Sequence, residues 1–370
     1  MKLRVALVGT GFIGMQHADA ILRQPCAQIV AASDSSAESL KRSSELLGVS
    51  GYNDFQEMLE KERIDILHNC TPNRMHYDVA RAALEKGIHL YSEKPLANTL
   101  PEAEKLVEAA HCAKGATAVN FNYRANAMVW EMRERLKSGD AGRCFVIHGT
   151  YLQDWLSRQS DYDWRIEEAG DGPRALADIG SHWFDLAQFV YGKKIVAVCA
   201  KTFSAFSQRL KPSGDGLPPS LVPVDNDDGA CVIMRFSDGL AASLVISQVS
   251  GGYKNSVSIS ADCENYSIRW NQQRCDQLVI GRRDGGEETI FADPKHLTGE
   301  ARIRAALPAG HPVSWADALK NSIGAFYADV RDGTWRMPDR AYPAFEEALH
   351  AMKIADAALR SSRDGLWKDV

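Results

Sequence analysis

Three glycines near the start of the chain have the spacing of a phosphate-binding loop. The apolar run Leu3–Val8 leads into Gly9-Thr10-Gly11-Phe12-Ile13-Gly14, a G-x-G-x-x-G pattern that opens a helix-period segment. The first glycine permits a tight turn, the second lets backbone amides approach a pyrophosphate, and the third lets the helix pack closely on the strand. The amides and the dipole of the helix N-terminus stabilise a diphosphate without a lysine or arginine. We therefore expect a dinucleotide to be held by Gly9, Gly11, Phe12, Ile13 and Gly14.

An acidic residue follows this loop at the distance expected of a ribose ligand. Asp34 lies twenty residues after Gly14, at the end of the second apolar run. A carboxylate at this position accepts hydrogen bonds from both ribose hydroxyls and repels a 2′-phosphate. The position therefore favours NAD over NADP. Arg42, further along the next helix-period segment, leaves a phosphate clamp for NADP as the alternative.

Polar residues also follow the other predicted strands of this half. In an open parallel sheet the ligand crevice lies beyond the carboxyl ends of the strands, so the residues directly after each strand face the site. These residues are Thr71-Pro72-Asn73, Glu93-Lys94-Pro95 and Asn122-Tyr123-Arg124. Pro95 fixes the turn that carries Lys94, through either a cis or a trans bond. An ammonium fixed there would polarise a carbonyl or stabilise an alkoxide, whereas a solvated surface position is the alternative for a lysine.

A second group of titratable residues lies in the other half of the chain. Asp178-Ile179-Gly180-Ser181-His182 begins an apolar helix-period segment, and its spacing brings Asp178 close to His182. A histidine titrates near neutral pH and suits general-base work on a hydroxyl, and a nearby carboxylate holds its tautomer. The alternative is structural: Asp178 or Ser181 caps the helix, and His182 is a core histidine.

The first 124 residues alternate short apolar runs with helix-period segments, which predicts a parallel sheet wound by helices on both faces. The predicted strands are 3–8, 28–33, 64–70, 88–92 and 117–121, and the predicted helices are 13–22, 37–47, 77–85 and 101–114.

The pattern changes after a helix predicted at 127–136, because strands now come in pairs joined by tight turns. The pairs are 230–236 with 240–249, 257–261 with 266–270, and 278–282 with 288–291; single strands are predicted at 144–152 and 195–204, and helices at 181–190, 315–331 and 343–361. Residues 208–224, rich in Pro, Gly and Ser, predict a surface loop.

These patterns predict an α/β protein in which a doubly wound Rossmann domain precedes an α+β domain with a large, mainly antiparallel open sheet of about six to eight strands. We expect the first domain at 1–124, the second at 125–340, and a C-terminal helix at 341–370 that packs back on the first domain.

The bulk composition excludes several classes of protein. The 370 residues, 45% apolar and 25% charged, supply enough core for two domains. The net charge of −5 and the scattered basic residues argue against a nucleic-acid partner. No segment approaches the roughly 18 apolar residues of a membrane span, so we expect a soluble cytoplasmic protein. The eight cysteines form no C-x-x-C pair or Cys/His cluster at metal spacing, which predicts reduced thiols and no metal.

The G-x-G-x-x-G loop, Glu93-Lys94-Pro95 and Asp178-x-Gly180-x-His182-x-x-Asp185 together resemble the glucose–fructose oxidoreductase / inositol dehydrogenase / rhizopine catabolism (Gfo/Idh/MocA) family over nearly the whole chain. The resemblance implies an enzyme that moves a hydride between NAD and a hydroxyl carbon of a sugar, anhydrosugar or cyclitol. It implies a homodimer or homotetramer formed through the C-terminal sheet. It also implies a catalytic set of Lys94, Asp178 and His182, and a cofactor border of Thr71, Pro72, Asn73, His76, Glu93, Lys94 and Asn122.

A finer resemblance concerns the substrate. Asn122-Tyr123-Arg124, residues 149–155 and Trp164-Arg165 resemble levoglucosan dehydrogenase-like members of the family, which act on pyranose sugars. Flat aromatic faces suit pyranose C–H surfaces, and arginine suits hydroxyl oxygens. The expected substrate residues are Lys94, Arg124, Tyr151, Trp155, Trp164, Arg165, Asp178 and His182. Ordinary core or rim positions are the alternative for the aromatic residues.

One segment departs from the family pattern, and two other functions stay open. Where the family often has a run of glycines, this chain reads Gly170-Asp171-Gly172-Pro173-Arg174-Ala175-Leu176. Arg174 indicates an unusual or anionic ligand or, as the favoured alternative, a solvated loop charge. The other functions are a glycosidase that oxidises and re-reduces its substrate with a retained NAD, and a dinucleotide or sugar sensor without catalysis.

Overall fold

The chain folds into two units, each built from two stretches of sequence. The first unit comprises Met1–Asn126 and Ser314–Leu349, and the second comprises Ala127–Val313 and His350–Val370. The computed structural model describes residues 2–213, 218–297, 299–337 and 340–370.

The helices and strands of the described residues are numbered along the chain. The helices are α1 (Phe12–Leu22), α2 (Ala37–Leu47), α3 (Phe55–Lys61), α4 (Asn73–Glu85), α5 (Leu100–Cys112), α6 (Ala127–Ser138), α7 (Arg165–Glu168), α8 (Ser181–Tyr191), α9 (Gly299–Arg304), α10 (Trp315–Asp332) and α11 (Phe345–Asp364). The strands are β1 (Leu3–Val8), β2 (Ala27–Ser33), β3 (Ser50–Tyr52), β4 (Ile66–Asn69), β5 (His89–Ser92), β6 (Thr117–Val119), β7 (Cys144–Leu152), β8 (Ile195–Phe203), β9 (Gln208–Lys211), β10 (Ser220–Pro223), β11 (Gly229–Phe236), β12 (Ala241–Ser247), β13 (Ser256–Cys263), β14 (Ser267–Asn271), β15 (Gln277–Arg282), β16 (Gly286–Phe291) and β17 (Lys368–Asp369).

The first unit contains the predicted parallel sheet. Six strands lie in the order β3-β2-β1-β4-β5-β6, and all neighbouring pairs are parallel. All four residues of β4 are buried, because helices on both faces of a parallel sheet exclude water from both sides of a central strand. The Rossmann prediction is therefore confirmed. β3 and α3, only three and seven residues long, were not predicted.

α10 belongs to the first unit, whereas the sequence assigned it to the second domain. Its apolar stripe, which includes Leu319, Ile323 and Phe326, packs in the same core as Val5 and Leu7 of β1. The helix starts with a capping box between Ser314 and Asp317. An amphipathic stripe predicts a buried helix face, but the stripe does not say which core the face joins.

The second unit is built on a sheet of nine described strands, in the order β16-β15-β14-β13-β7-β12-β11-β8-β17. The sheet is mainly antiparallel, as predicted, but β7 and β12 are parallel neighbours. Nine strands exceed the predicted six to eight, partly because β17 adds a two-residue edge next to β8. In β11 and β12 buried and exposed residues alternate, as expected where only one face of a sheet is covered.

Two other segments differ from the sequence expectation. Within residues 208–224, β9 and β10 form an antiparallel pair where a loop was predicted, and residues 214–217 lie outside the described residues. From His350 onward the C-terminal helix belongs to the second unit, although packing on the first domain was predicted. The Ala200 amide donates to Ser361 Oγ (3.0 Å) and ties the helix to β8. In the parts of the chain that the structure describes, no helix combines the length and apolarity needed to cross a membrane.

Candidate functional site

The glycine-rich loop has the backbone shape that its sequence predicts. Gly9 adopts a φ of +87°, and a Cβ there would lie 2.5 Å from Cys70 O. A Cβ at Gly14 would lie 2.0 Å from Gly9 O, so a side chain at either position would force the backbone to shift. At Gly11 a Cβ would meet no described atom within 4 Å, which leaves open space above the start of α1. Phe12 is exposed and Ile13 is half-buried at this opening. The loop therefore fits a diphosphate at the helix N-terminus.

Asp34 lies at the end of β2, next to this loop. Its Oδ2 accepts hydrogen bonds from Thr10 N (2.7 Å) and Thr10 Oγ1 (2.9 Å), and its Oδ1 accepts one from Ser36 N (2.8 Å). The half-buried carboxylate is thus held in one orientation beside the glycines. An ionised carboxylate has about four acceptor sites, so it retains capacity for a ribose hydroxyl.

His76 joins two of the predicted strand-end segments. This buried side chain lies on the first turn of α4, which begins at Asn73 after Pro72. Its Nδ1 is 2.6 Å from Pro95 O and its Nε2 is 2.9 Å from Thr71 O. Burial lowers the pKa of His76, and a neutral imidazole donates only one of these two hydrogen bonds. The ring therefore connects Thr71 to the turn that carries Lys94. Lys94 is half-buried, and its peptide bond to Pro95 is cis.

Glu93 faces a buried polar network that the sequence reasoning missed. Its Oε1 accepts a hydrogen bond from Asn120 Nδ2 (2.6 Å) and lies 3.0 Å from His17 Nε2, while its Oε2 accepts one from the Lys94 amide (3.2 Å). Burial raises the pKa of Glu93, but the hydrogen bond and charge of His17 and the hydrogen bond from Asn120 outweigh it and hold the pKa at about 2. Glu93 is therefore an ionised anchor of the Lys94 turn. His17 lies three residues after Gly14, and this closeness to the glycine-rich loop is the sequence feature that could have indicated its role.

The network continues into the core of the first unit. His17 Nδ1 and His68 Nδ1 are 2.9 Å apart, and His68 Nε2 lies 2.7 Å from the hydroxyl of Tyr327 on α10. Burial and the nearby charge of His17 hold the pKa of His68 well below its usual value. A line of polar contacts thus connects Glu93 to α10.

Asn122 and Arg124 lie in the short helical turn Asn122–Ala125 that follows β6. Both side chains are buried. Asn122 Nδ2 has no hydrogen-bond partner among the described residues. Buried amide nitrogens are rarely left unsatisfied, so this donor fits an oxygen of a bound ligand.

Asp178 lies in a π-helical turn, Leu176–Gly180, directly before α8. Gly180 is the N-cap residue of α8, and no side-chain cap bond occurs there, so the capping interpretation of Asp178 is wrong. Asp178 Oδ2 accepts a hydrogen bond from Gln248 Nε2 (2.9 Å), and its Oδ1 lies 3.8 Å from Arg165 Nε. The Arg165 guanidinium stacks on Trp164, with Cζ 4.3 Å from the ring centroid. The structure therefore brings Trp164, Arg165 and Asp178 together.

His182 is buried on the first turn of α8, four residues after Asp178. The rings of His182 and Tyr151 have centroids 6.3 Å apart, and Tyr151 OH donates to Asn255 Oδ1 (2.8 Å). Asn255 Oδ1 also accepts from Gln153 Nε2 (3.3 Å), whose Oε1 accepts from Trp155 Nε1 (2.8 Å). Hydrogen bonds thus link the exposed Trp155 to the tyrosine beside His182. Gln153 and Asn255 were not predicted.

Arg174 is neither a solvated loop charge nor open to an anionic ligand, which were the two alternatives from the sequence. Arg174 is only 3% exposed, and its side chain contacts Asn226, Gln248 and Asp228. The partners lie 52 to 74 positions away in the chain, and local spacing does not reveal such a contact.

Two family models match this chain. Residues 3–121 match the model described as oxidoreductase family, NAD-binding Rossmann fold, and residues 129–269 match the GFO/IDH/MocA C-terminal domain. Levoglucosan dehydrogenase of Pseudarthrobacter phenanthrenivorans is 27% identical over 100% of this chain and 98% of its own length. D-glucoside 3-dehydrogenase of Escherichia coli is 32% identical over 51% of this chain and 54% of its own length.

Solved structures show the same similarity. A levoglucosan dehydrogenase in complex with NADH and levoglucosan is 27% identical, covers 100% of both chains and has a TM-score of 0.88. An oxidoreductase domain protein from Kribbella flavida is 26% identical, covers 100% of this chain and 99% of that one, and has a TM-score of 0.90.

Proposed function

The chain belongs to the Gfo/Idh/MocA family of NAD-binding oxidoreductases, and we propose that it is a dehydrogenase acting on a hydroxyl carbon of a sugar, anhydrosugar or cyclitol. The similarity to levoglucosan dehydrogenase and to D-glucoside 3-dehydrogenase supports a carbohydrate substrate. The structural observation that carries the proposal is the arrangement around Asp178, where an oriented carboxylate lies beside Arg165 and one helical turn before a buried histidine.

The cofactor is held by the first unit. We assign the diphosphate to the open backbone at Gly11 and the start of α1, and the ribose hydroxyls to Asp34. Thr71, Pro72, Asn73, His76 and Asn122 complete this proposed border. When bound, NAD supplies the oxidant, because its nicotinamide accepts a hydride from the carbinol carbon.

The chain's own residues remove the hydroxyl proton and stabilise the negative charge on the oxygen. His182 takes the hydroxyl proton on an imidazole nitrogen, because histidine is the side chain most often used as a general base near neutral pH. Asp178 stabilises the imidazolium that results. Lys94 donates a hydrogen bond to the reacting oxygen and stabilises its negative charge as the proton leaves.

Substrate selection is assigned to aromatic and guanidinium groups. Tyr151, Trp155 and Trp164 offer flat faces to the C–H surface of a pyranose ring. Arg165 is held by Asp163 (3.2 Å between Nη1 and Oδ1), so its remaining N–H groups are preoriented toward hydroxyl oxygens. Arg124 is proposed as a further hydroxyl ligand.

We further propose that the outer face of the large sheet binds a second copy of the chain. Ile233 of β11 is 53% exposed and Val245 of β12 is 41% exposed, on strands that pair directly. Exposed aliphatic residues on one sheet face are typical of an interface between subunits. We also propose a cytoplasmic location, where the eight cysteines would stay reduced.

The test is a panel of monosaccharides, anhydrosugars and inositols, each assayed with NAD and with NADP by absorbance of the reduced cofactor. The proposal predicts net NADH formation with at least one polyol and identifies the product as the corresponding carbonyl compound. Cleavage of a glycoside without net NADH would instead identify the glycosidase. Binding of NAD and sugar without any turnover would identify the sensor.

A further inference from the structure

All three guanidinium nitrogens of Arg174 donate hydrogen bonds inside the second unit. Nε donates to Asn226 Oδ1 (2.7 Å), Nη1 donates to Gln248 Oε1 (2.7 Å), and Nη2 donates to Asp228 Oδ1. Its backbone is held too, because the Arg174 amide donates to Asp227 Oδ1 (2.6 Å). A guanidinium is a rigid planar fork, so these contacts determine the direction of every N–H group.

Asp228 is shared by a second buried arginine. Arg209 Nη2 donates to Asp228 Oδ1 (2.9 Å), and Arg209 Nη1 donates to Arg158 O (2.8 Å). Arg209 and Asp228 are both fully buried. Removing one partner from such a buried ionic cluster is costly, so Arg174 has no low-energy alternative orientation.

Arg174 determines which way the amide of Gln248 points. Gln248 follows β12 directly and is fully buried. Because arginine is only a donor, Gln248 must present its carbonyl oxygen to Nη1 and its NH₂ group to the opposite side. On that side lies Asp178 Oδ2, 2.9 Å from Gln248 Nε2. The order of donors and acceptors therefore runs one way, from Arg174 through Gln248 to the carboxylate of Asp178.

We propose that Arg174 and Gln248 are positioning residues that hold Asp178 in its working orientation. This inference rests on the proposed function, in which Asp178 supports His182. It gives Arg174 a role in catalysis without contact with substrate, and it explains why the chain carries an arginine at this point. Both residues act on the chemical step and not on cofactor affinity.

The test compares two substitutions of Gln248 with a matched control. Gln248→Met keeps the length of the side chain and removes both hydrogen bonds, whereas Gln248→Glu keeps the acceptor for Arg174 and replaces the donor that faces Asp178. We expect each substitution to lower kcat about 10- to 100-fold, the loss typical of a misoriented catalytic group, with the KM for NAD within about twofold of wild type. Arg304→Lys is the control, because it disturbs a different buried arginine of the second unit, whose Nη1 donates to Glu300 Oε2 (2.6 Å). It should lower the thermal unfolding midpoint but leave kcat within about twofold.

Crystal structures of wild type and Gln248→Met supply a readout that does not depend on turnover. The inference predicts that the Asp178 carboxylate rotates or becomes disordered in the variant. An unchanged kcat in both Gln248 variants, an unmoved Asp178, or equal losses of kcat in Gln248→Met and Arg304→Lys would overturn it. If wild type itself turns over no polyol, the proposed function fails, while the crystal structures still decide whether Gln248 positions Asp178.

Discussion

His17 Nε2 and Glu93 Oε1 lie 3.0 Å apart in the core of the first unit, although the two residues are separated by 76 positions in the chain. His17 follows the glycine-rich loop on α1, and Glu93 precedes Lys94. The contact thus connects the start of the proposed diphosphate site to the turn that carries a proposed catalytic lysine.

This contact predicts an acid-sensitive contribution to stability. The folded chain lowers the pKa of Glu93 from its ordinary 4.5 to about 2. The stabilisation is therefore complete above pH 4.5 and is lost as the pH falls toward 2, with a total on the order of 3 kcal/mol. Glu93→Gln should lose most of this contribution. In urea unfolding, we expect the free energy of unfolding of wild type to fall by about 1 kcal/mol more than that of the variant when the pH is lowered from 6 to 4.

The exposed Glu85 supplies the control for that experiment. Glu85→Gln should keep the pH dependence of wild type, because its carboxylate is solvated in the folded and unfolded chains. Parallel curves for wild type and Glu93→Gln would show that Glu93 is not held ionised by His17 and Asn120.

Asp34 should set the preference for NAD. Asp34→Ala removes the proposed acceptor for the ribose hydroxyls and the proposed repulsion of a 2′-phosphate. We expect kcat/KM for NAD to fall about 10- to 100-fold, as for loss of a charge-assisted hydrogen bond, while the value for NADP falls less or rises. Asp19→Ala, at an exposed position of α1, is the matched control. An unchanged ratio of the two values in Asp34→Ala would contradict the assignment.

The two glycines at the ends of the G-x-x-G segment should respond differently to alanine. At Gly14 the new Cβ would lie 2.0 Å from Gly9 O, so Gly14→Ala should lose about 1–3 kcal/mol of unfolding free energy. At Gly11 the Cβ meets no described atom within 4 Å, so Gly11→Ala should unfold like wild type. Calorimetry should nevertheless show NAD binding weakened at least about tenfold in Gly11→Ala, because the methyl group would occupy the proposed space of the diphosphate. Wild-type NAD affinity in that variant would count against the assigned loop.

The sheet face with Ile233 and Val245 should govern assembly. Light scattering of wild type should give the mass of a dimer or tetramer, and Ile233→Asp should give a smaller mass, because a buried unpaired carboxylate is costly. Leu46→Asp places the same charge on an exposed leucine of the first unit and should leave the mass unchanged. A monomeric wild type, or an Ile233→Asp variant with wild-type mass, would refute this interface.

Most of the elements and site residues that could be predicted from the sequence depend on local patterns. β1 has the predicted bounds, and the spacing from Gly9 to Asp34 predicted a loop and an acid that lie together in the structure. Such features depend on neighbours in sequence and on the standard geometry of a strand, turn and helix. The catalytic roles of Lys94, Asp178 and His182 stay predictions.

Contacts between distant segments could not be predicted. The parallel pairing of β7 with β12, the packing of α10 in the first unit, and the line from Arg174 through Gln248 to Asp178 all join residues far apart in the chain. Spacing shows that a residue is buried or polar, but not which partner it meets. Gln248 falls inside the strand predicted at 240–249, and only the structure, in which β12 ends at Ser247, places it directly after a strand.

Single-turnover kinetics can isolate the chemical step, which we assign to Lys94 and His182. Lys94→Ala and His182→Ala, saturated with NAD and the best polyol of the panel, should form NADH about 10²- to 10⁴-fold more slowly than wild type, the range of a lost general base or charge stabiliser. His182→Ala should bind NAD as wild type does, and the exposed Lys61→Ala and His111→Ala should turn over normally. Formation of NADH at the wild-type rate in either Lys94→Ala or His182→Ala would show that the substituted residue does not carry out the chemical step.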